Sequence, residues 1–382
     1  MSQLKVNTIR HTGASSDAVT LATDGTCTAK ITNNLSNRNL IINGAMLVAQ
    51  RGTSFTNVGA QEYTLDRFVT LHSYGGTQMG VSQSSTSPDG FSNSYKLDVN
   101  TADTSIGAAE FVFIRHKLEA QNLQQLAYGT SGAKSITLSF YVRSNVTGTY
   151  AICLQQKDNS SKQVNGSYTI NSADTWERKT FTYAGDTSGV INNDIGHGLD
   201  ILWTLVAGSD RTSGSVRSTW TAHANADESV GHTANILSST SNNFHLTGVQ
   251  LEVGDVATDF EHRSYGDELN RCMRYFQVFA KKGANPEQIG PGYGYTSGQF
   301  EMQFQFNPPM RTAPSLEIGS GTDYYKARTG GTEIDFDSLS AYLFTERNGL
   351  MYKSSLSGLT EGNAYRLESA NASAYLHFNA EL

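Results

Sequence analysis

A pyranose ring has an apolar C–H face, so a flat aromatic side chain flanked by amides or carboxylates can hold one. The sequence offers Trp203, Trp220, Tyr74 and Tyr95 as isolated rings, and two stretches with closely spaced tyrosines. The first stretch, Gly290-Pro291-Gly292-Tyr293-Gly294-Tyr295-Thr296-Ser297-Gly298, reads as a loop ahead of an alternating strand that contains Phe300. The second sets Tyr324-Tyr325 close to Lys326 and Arg328. Tyrosine offers a large contact area for little rotamer entropy and recurs in recognition loops. Trp220 lies among Ser, Thr and Ala near His223 and reads as the most exposed tryptophan, whereas Trp176 and Trp203 sit in alternating or apolar runs and read as core. The candidate ligand-binding set is Trp220, Tyr293, Tyr295, Tyr324 and Tyr325; the alternative is that both tyrosine stretches are ordinary turns.

Bond-breaking chemistry leaves no comparable pattern. A glycosidase needs two carboxylates about 5–10 Å apart, and Asp255, Asp259 and Glu261 cluster, but 35 acidic residues always permit chance pairs. There is no Gly-x-Ser-x-Gly elbow, no phosphate loop and no His-Glu-x-x-His spacing among the 9 histidines, which include His197, His223, His232 and His245. Cys27, Cys153 and Cys272 are too far apart for a metal or disulfide pattern and read as reduced thiols. Asp66 and Glu252 could donate oxygens to calcium, but that ion takes about six to eight, and nothing gathers the remainder. The expectation is a chain that is not an enzyme, with no cofactor and no metal.

The elements that would position these rings are strands. Residues 1–36 read as an arm: Leu4 and Val6 alternate with Lys5 and Asn7, and Asp24-Gly25 sits between β-prone runs as a hairpin turn. A hairpin alone is marginal in water, so the arm is expected to lie on a sister subunit or a docking partner. Residues 37–263 hold one β-prone run after another, including 135–142, 150–154, 176–183 and 199–205, separated by polar turns. That pattern points to an antiparallel sandwich, with one short helical segment at 120–126. Residues 264–281 read as a linking helix, since Leu269, Cys272, Met273 and Phe276 share one face and Ser264 can cap it. Residues 282–382 form a second β region, with Phe300, Met302, Phe304 and Phe306 alternating with polar residues and the same alternation at 376–382. The fold class is therefore all-β: an arm, a central sandwich, a short helix and a smaller C-terminal sandwich.

Composition bounds the partners. The chain is polar without being charged, with 16% Asp, Glu, Lys and Arg against roughly 25% on average, while 36 Gly join abundant Ser, Thr and Asn. Seventeen Phe, 18 Tyr and 3 Trp are enough for sizeable cores. A net charge of −7 argues against nucleic acid as the main partner. No run of about 20 apolar residues occurs and the first residues lack an apolar signal region, so membrane insertion is not expected and synthesis in a cytoplasm is.

Several segments, in order, resemble a domain common in bacteriophage tail fibres and related virion appendages. They are Asn39-Leu40-Ile41-Ile42-Asn43-Gly44, Gln50-Arg51-Gly52-Thr53-Ser54-Phe55, Tyr63-Thr64-Leu65-Asp66-Arg67-Phe68, Ser139–Ser144, Trp176–Thr182 and Leu246–Gly254. The closing stretch Ala257–Leu269 is the most specific. Pro309–Pro314 and Phe378–Leu382 resemble the β domain that often follows, and Leu4–Ile9 resembles the start of many marine cyanophage structural proteins. The opening segment is also similar to jelly-roll carbohydrate-binding modules, although the last strand, Thr247-Gly248-Val249-Gln250-Leu251, lacks the acidic residue that helps hold their structural calcium.

The resemblance implies a virion structural protein: a homotrimeric tail fibre, joined to other tail or capsid proteins by its N-terminal arm, that binds host-surface polysaccharide without cleaving it. Its C-terminal region would be the receptor-contacting tip. The alternatives are an architectural capsid fibre, knob or tail-collar component, and a glycan depolymerase, the last disfavoured because no short β-helix repeat is present.

Overall fold

The computed structural model describes residues 5–29, 36–74, 78–158, 161–283 and 286–382. Almost every element is an antiparallel strand. In the arm, Thr8–Ile9, Val19–Leu21 and Cys27–Ala29 form a three-stranded sheet. Its turn is held by Asp24, whose Oδ1 accepts from the Thr26 amide at 2.9 Å, with Gly25 at φ 87°. Leu4 lies outside the described residues, and Val6 is exposed and not in a strand.

The central region is a jelly-roll sandwich of two sheets. One has six strands, in the spatial order Glu177–Tyr183, Ile136–Ser144, Asn243–Val253, Ser94–Val99, Met79–Ser84 and Ser54–Phe55. The other has seven: Thr221–Ala222, Lys162–Ile170, Gly148–Gln156, His197–Ala207, Phe111–Glu119, Phe68–His72 and Gln61–Tyr63. The alternation of the sequence is the alternation of the faces. Ile136, Leu138, Phe140 and Val142 enter the core from one sheet, and Leu199, Ile201, Trp203 and Leu205 enter it from the other. Phe140 and Trp203 meet edge to face at 5.7 Å. The segment Ala120–Leu126 is a 3-10 helix buried on Leu123 and Leu126.

The linking helix spans Tyr265–Met273, capped by Ser264, whose hydroxyl accepts from the Asp267 amide at 3.2 Å. It is shorter than the expected segment, because Phe276–Ala280 pairs as a strand with Leu376–Asn379. Cys272 and Phe276 are buried, and Leu269 and Met273 are half-buried. The C-terminal sandwich stacks a three-stranded sheet (Phe276–Ala280, Leu376–Asn379, Ser315–Ile318) and a seven-stranded sheet. Phe378 lies at its centre, with its ring 4.8–4.9 Å from those of Phe279, Phe304 and Phe306.

Side chains of the segments 39–44, 50–55 and 63–68 act as latches. Asn39 accepts at Oδ1 from the Ile41 and Leu251 amides and donates from Nδ2 to the Val249 carbonyl. Asn43, at φ 62°, accepts from the Val48 amide and donates to the Val48 and Asp66 carbonyls. Asp66 accepts from both the amide and the side chain of Gln50, and Gln50 also donates to the Phe276 carbonyl at 2.9 Å. Arg67 is fully buried, ion-paired with Glu381, with its guanidinium 3.6 Å from the centre of the Tyr275 ring. Arg51 stacks on Phe276 at 3.5 Å and also reaches Glu381. Gln50, Arg51 and Arg67 join the two sandwiches.

Candidate functional site

Residues 290–298 read as a loop in the sequence, but Gln288–Thr296 is a strand, and its glycines explain both the difference and the site. In Gln288–Thr296, Gly290, Gly292 and Gly294 alternate with Pro291, Tyr293 and Tyr295. A Cβ at Gly292 would collide with the Phe300 ring and the Glu301 carbonyl, and one at Gly294 with the Thr360 carbonyl. Glycine therefore lets this face press onto the C-terminal core while the tyrosines stand on the opposite face. The strand turns at Ser297-Gly298 and pairs with Gln299–Gln305, placing Tyr293 opposite Glu301. Gln299–Gln305 pairs in turn with Asn348–Lys353, placing Glu301 opposite Tyr352. The edge strand Ser340–Phe344 completes the row, with Ser340 opposite Tyr352.

This register gathers Tyr295, Gln299, Glu301, Tyr342 and Tyr352 around a cleft of about 320 Å³. Tyr295 is 54% exposed and Tyr342 66% exposed. Tyr342 and Tyr352 meet edge to face, 6.1 Å apart at 85°. Glu301 lies almost buried at the base. Its Oε2 accepts from the Tyr293 hydroxyl at 2.7 Å and its Oε1 from Gln299 Nε2 at 2.8 Å. The hydrogen bond to Glu301, then burial, raise the Tyr293 phenol above its ordinary value, so it stays a donor. Exposed rings around a hydrogen-bonded carboxylate and amide can hold a flat, hydroxyl-rich ligand by face contact and hydroxyl recognition.

The other candidates lie elsewhere. Tyr325 is a correction: it is fully buried and its hydroxyl donates to the carbonyls of Gly319 and Tyr375, so its ring is unavailable to a ligand. It begins the strand Tyr325–Thr329, whose Lys326 and Arg328 pair with Glu333 on the adjoining strand. Tyr324 is half-buried against the C-terminal core. Trp220 is half-buried: its indole N–H donates to the Ala184 carbonyl at 2.9 Å, its ring meets Tyr128 edge to face, and it packs on the central core. Tyr95 is buried with its hydroxyl 2.5 Å from Thr70 Oγ1, and Tyr74 donates to Glu110 at 3.2 Å. Trp176, expected in the core, is half-buried with its ring edge-on to His245. Tyr342 and Tyr352 escaped the sequence reading because only strand pairing joins them to residues 295–301.

Of the candidate acids and oxygen ligands, Glu261 and Glu252 are engaged structurally, while Asp255 and Asp259 are exposed. Glu261 accepts from the Arg38 and Asn39 amides, and Glu252 from the Thr258 amide and hydroxyl. On the outer face of the seven-stranded central sheet, Asp200 pairs with Arg115 and His197, and Glu228 with Arg211 and His223. Among the described residues no three His, Cys, Asp or Glu side chains gather as a metal set. Among them, too, no helix is long and apolar enough to cross a membrane.

No family model matches the sequence, and no curated protein matches it. Solved structures do. The chain is similar to the enzymatically active domain of tailspike protein 4 from bacteriophage CBA120, at 11% identity and a TM-score of 0.29 over 56% of this chain. The match spans about a fifth (21%) of the tailspike domain's length. A putative sugar-binding protein from Bacteroides thetaiotaomicron is similar at 10% identity and a TM-score of 0.32, covering 56% of this chain and 100% of that one. A family 30 carbohydrate-binding module is similar at 10% identity and a TM-score of 0.29, covering 61% and 96%.

Proposed function

We propose that this chain is a non-enzymatic structural protein of a phage virion, a trimeric tail fibre that attaches by residues 1–36 and holds host-surface glycan with its C-terminal sandwich. The observation that carries the binding half is the cleft in which Tyr295, Tyr342 and Tyr352 surround Glu301 and Gln299. Its rings suit sugar C–H faces, and its carboxylate and amide suit sugar hydroxyls.

The assembly half rests on the resemblance in sequence and on the arm. The hydrogen bonds described for the arm run within it, and its small sheet leaves Ile9 56% and Leu21 40% exposed. A sheet this small is marginal alone, so a sister subunit or a neighbouring virion protein is its natural cover. One cleft binds weakly; three per fibre and several fibres per particle multiply the contact by avidity.

The test uses purified protein of verified oligomeric state, measured for saturable binding to host cells and for blocking infection by the phage. The Tyr295→Ala, Tyr342→Ala double variant is expected to keep its assembly and lose at least about tenfold in adsorption, the size of change that removing hot-spot rings produces. Unchanged adsorption would favour the architectural role of a capsid fibre, knob or collar. Host polysaccharide incubated with the protein is expected to keep its chain length; shortened chains would make the protein a depolymerase.

A further inference from the structure

A second cleft, of about 470 Å³, opens where the edge strand Gln61–Tyr63 of the central sandwich faces the three-stranded sheet of the C-terminal one. Tyr63 and Phe55 line it from the central side, and Tyr375 and His377 from the other. The rings of Tyr375 and His377 lie 4.9 Å apart at 36°, a tilted pair at one wall. Polar groups stand between the rings, and several have unused capacity among the described residues. Glu62 takes the Gly59 amide on Oε2, and Glu317 takes the Asn379 side chain on Oε1, which leaves the other oxygen of each carboxylate. The Gln61 side chain is exposed at the rim.

Charge in the cleft is low and slightly negative. Arg51 is committed to Glu381 and to the Phe276 ring. Lys282 at the rim offsets part of the charge of Glu62 and Glu317. Burial, with Arg51 adding to it, pushes His377 down to about 4, so its imidazole is neutral at neutral pH. A site with rings, amides and carboxylates and little net field has no means of selecting a strong anion or a polycation, whereas it matches an uncharged, hydroxyl-rich chain.

We propose that this cleft between the two sandwiches is a second saccharide-binding site, taking a neutral oligosaccharide by contact with Tyr63 and Tyr375 and hydroxyl recognition by Gln61, Glu62 and Glu317. The inference rests on the glycan-binding reading above, but it names a different place and different residues. Because each wall belongs to a different sandwich, the ligand would touch both at once.

The experiment is a printed array of neutral, amino and acidic oligosaccharides, probed with the intact protein and with three variants. Wild type is expected to bind at least one neutral oligosaccharide that Tyr375→Ala and Gln61→Ala each bind about tenfold less well, while the Tyr295→Ala, Tyr342→Ala variant still binds it. Gln61 is exposed, so its variant tests the site even if removal of Tyr375 disturbs folding. Neutral signals unchanged in Gln61→Ala and Tyr375→Ala would overturn the second site and leave the tyrosine cleft standing. Signals lost only from acidic glycans would overturn the assigned ligand class. Neutral signals lost in these variants, with no glycan on the array bound less well by the Tyr295 and Tyr342 variant, would support this site while counting against the other. An array with no binding by wild type would overturn both.

Discussion

Side chains that look like recognition residues in the sequence are, at several positions, fasteners. Gly44 is required because a Cβ there would run into the Val249 carbonyl, a backbone atom that cannot yield cheaply. Gly44→Ala should therefore cost about 1–3 kcal/mol, the usual range for overpacking, read as a lower midpoint in urea with an unchanged slope. Arg67 has a larger effect. It is buried opposite Glu381 and also donates to the Lys117 carbonyl at 2.7 Å. Arg67→Ala leaves the buried Glu381 carboxylate only its longer contact with Arg51 and should cost about 3 kcal/mol, whereas replacing both partners with apolar residues should cost less. Histidines set the acid limb. Burial holds His232 and His377 near 4 and His245 near 3. The unfolded chain takes up those protons around pH 6.5, before the fold does. Stability is thus complete above about pH 6.5 and falls as pH drops from there toward 4. Thermal midpoints measured between pH 7 and 5 should decline, and His245→Gln should make the decline shallower.

At the scale of elements, alternation made the sandwich strands legible. Residues 136–142 and 199–205 carry an apolar side chain at every second position, and those side chains fill the core. The helix was legible for a different reason, since Ser264 and Asp267 mark its start. Its end was not: Phe276 continues the helical spacing, but tertiary pairing with Asn379 claims it for a strand. The strand 288–296 was hidden because glycine has low strand propensity and Gly-Tyr alternation reads as a turn. Adjacency misled the reading at Tyr324-Tyr325: in an extended chain, successive side chains take opposite faces, and one of the two is buried in the core. Half of the tyrosine cleft could not be read at all, since Tyr342 and Tyr352 reach it through strand register alone. The arm yields an element-scale prediction. Removing residues 1–36 should leave the thermal midpoint of the two sandwiches within about 1 °C, because the hydrogen bonds described for the arm stay inside it. For the proposed trimer, the same truncation should yield monomer in light scattering.

Across the whole molecule, the two hydrophobic cores are joined by a polar seam. Arg51, Tyr63, Arg67 and Lys117 of the central sandwich meet Tyr275, Phe276, Glu381 and the Leu382 carbonyl. Glu119 adds a second point of closure, accepting from Arg274 at 2.6 and 3.0 Å and from the Tyr275 hydroxyl at 2.6 Å. Calorimetry should show the sandwiches melting together, and Glu381→Ala should separate them into two transitions, because the arginines would be left facing each other without their shared anion. The seam also bears on how the chain carries mechanical load. Any pull applied to one sandwich while the other is held must pass across this seam. There, the stacks of Arg51 on Phe276 and Arg67 on Tyr275 and the ion pairs of Glu381 and Glu119 all bridge the same two sandwiches. A crossing built that way shares the pull among its bonds and resists it until they give way together, as a riveted plate does and a zip fastener does not.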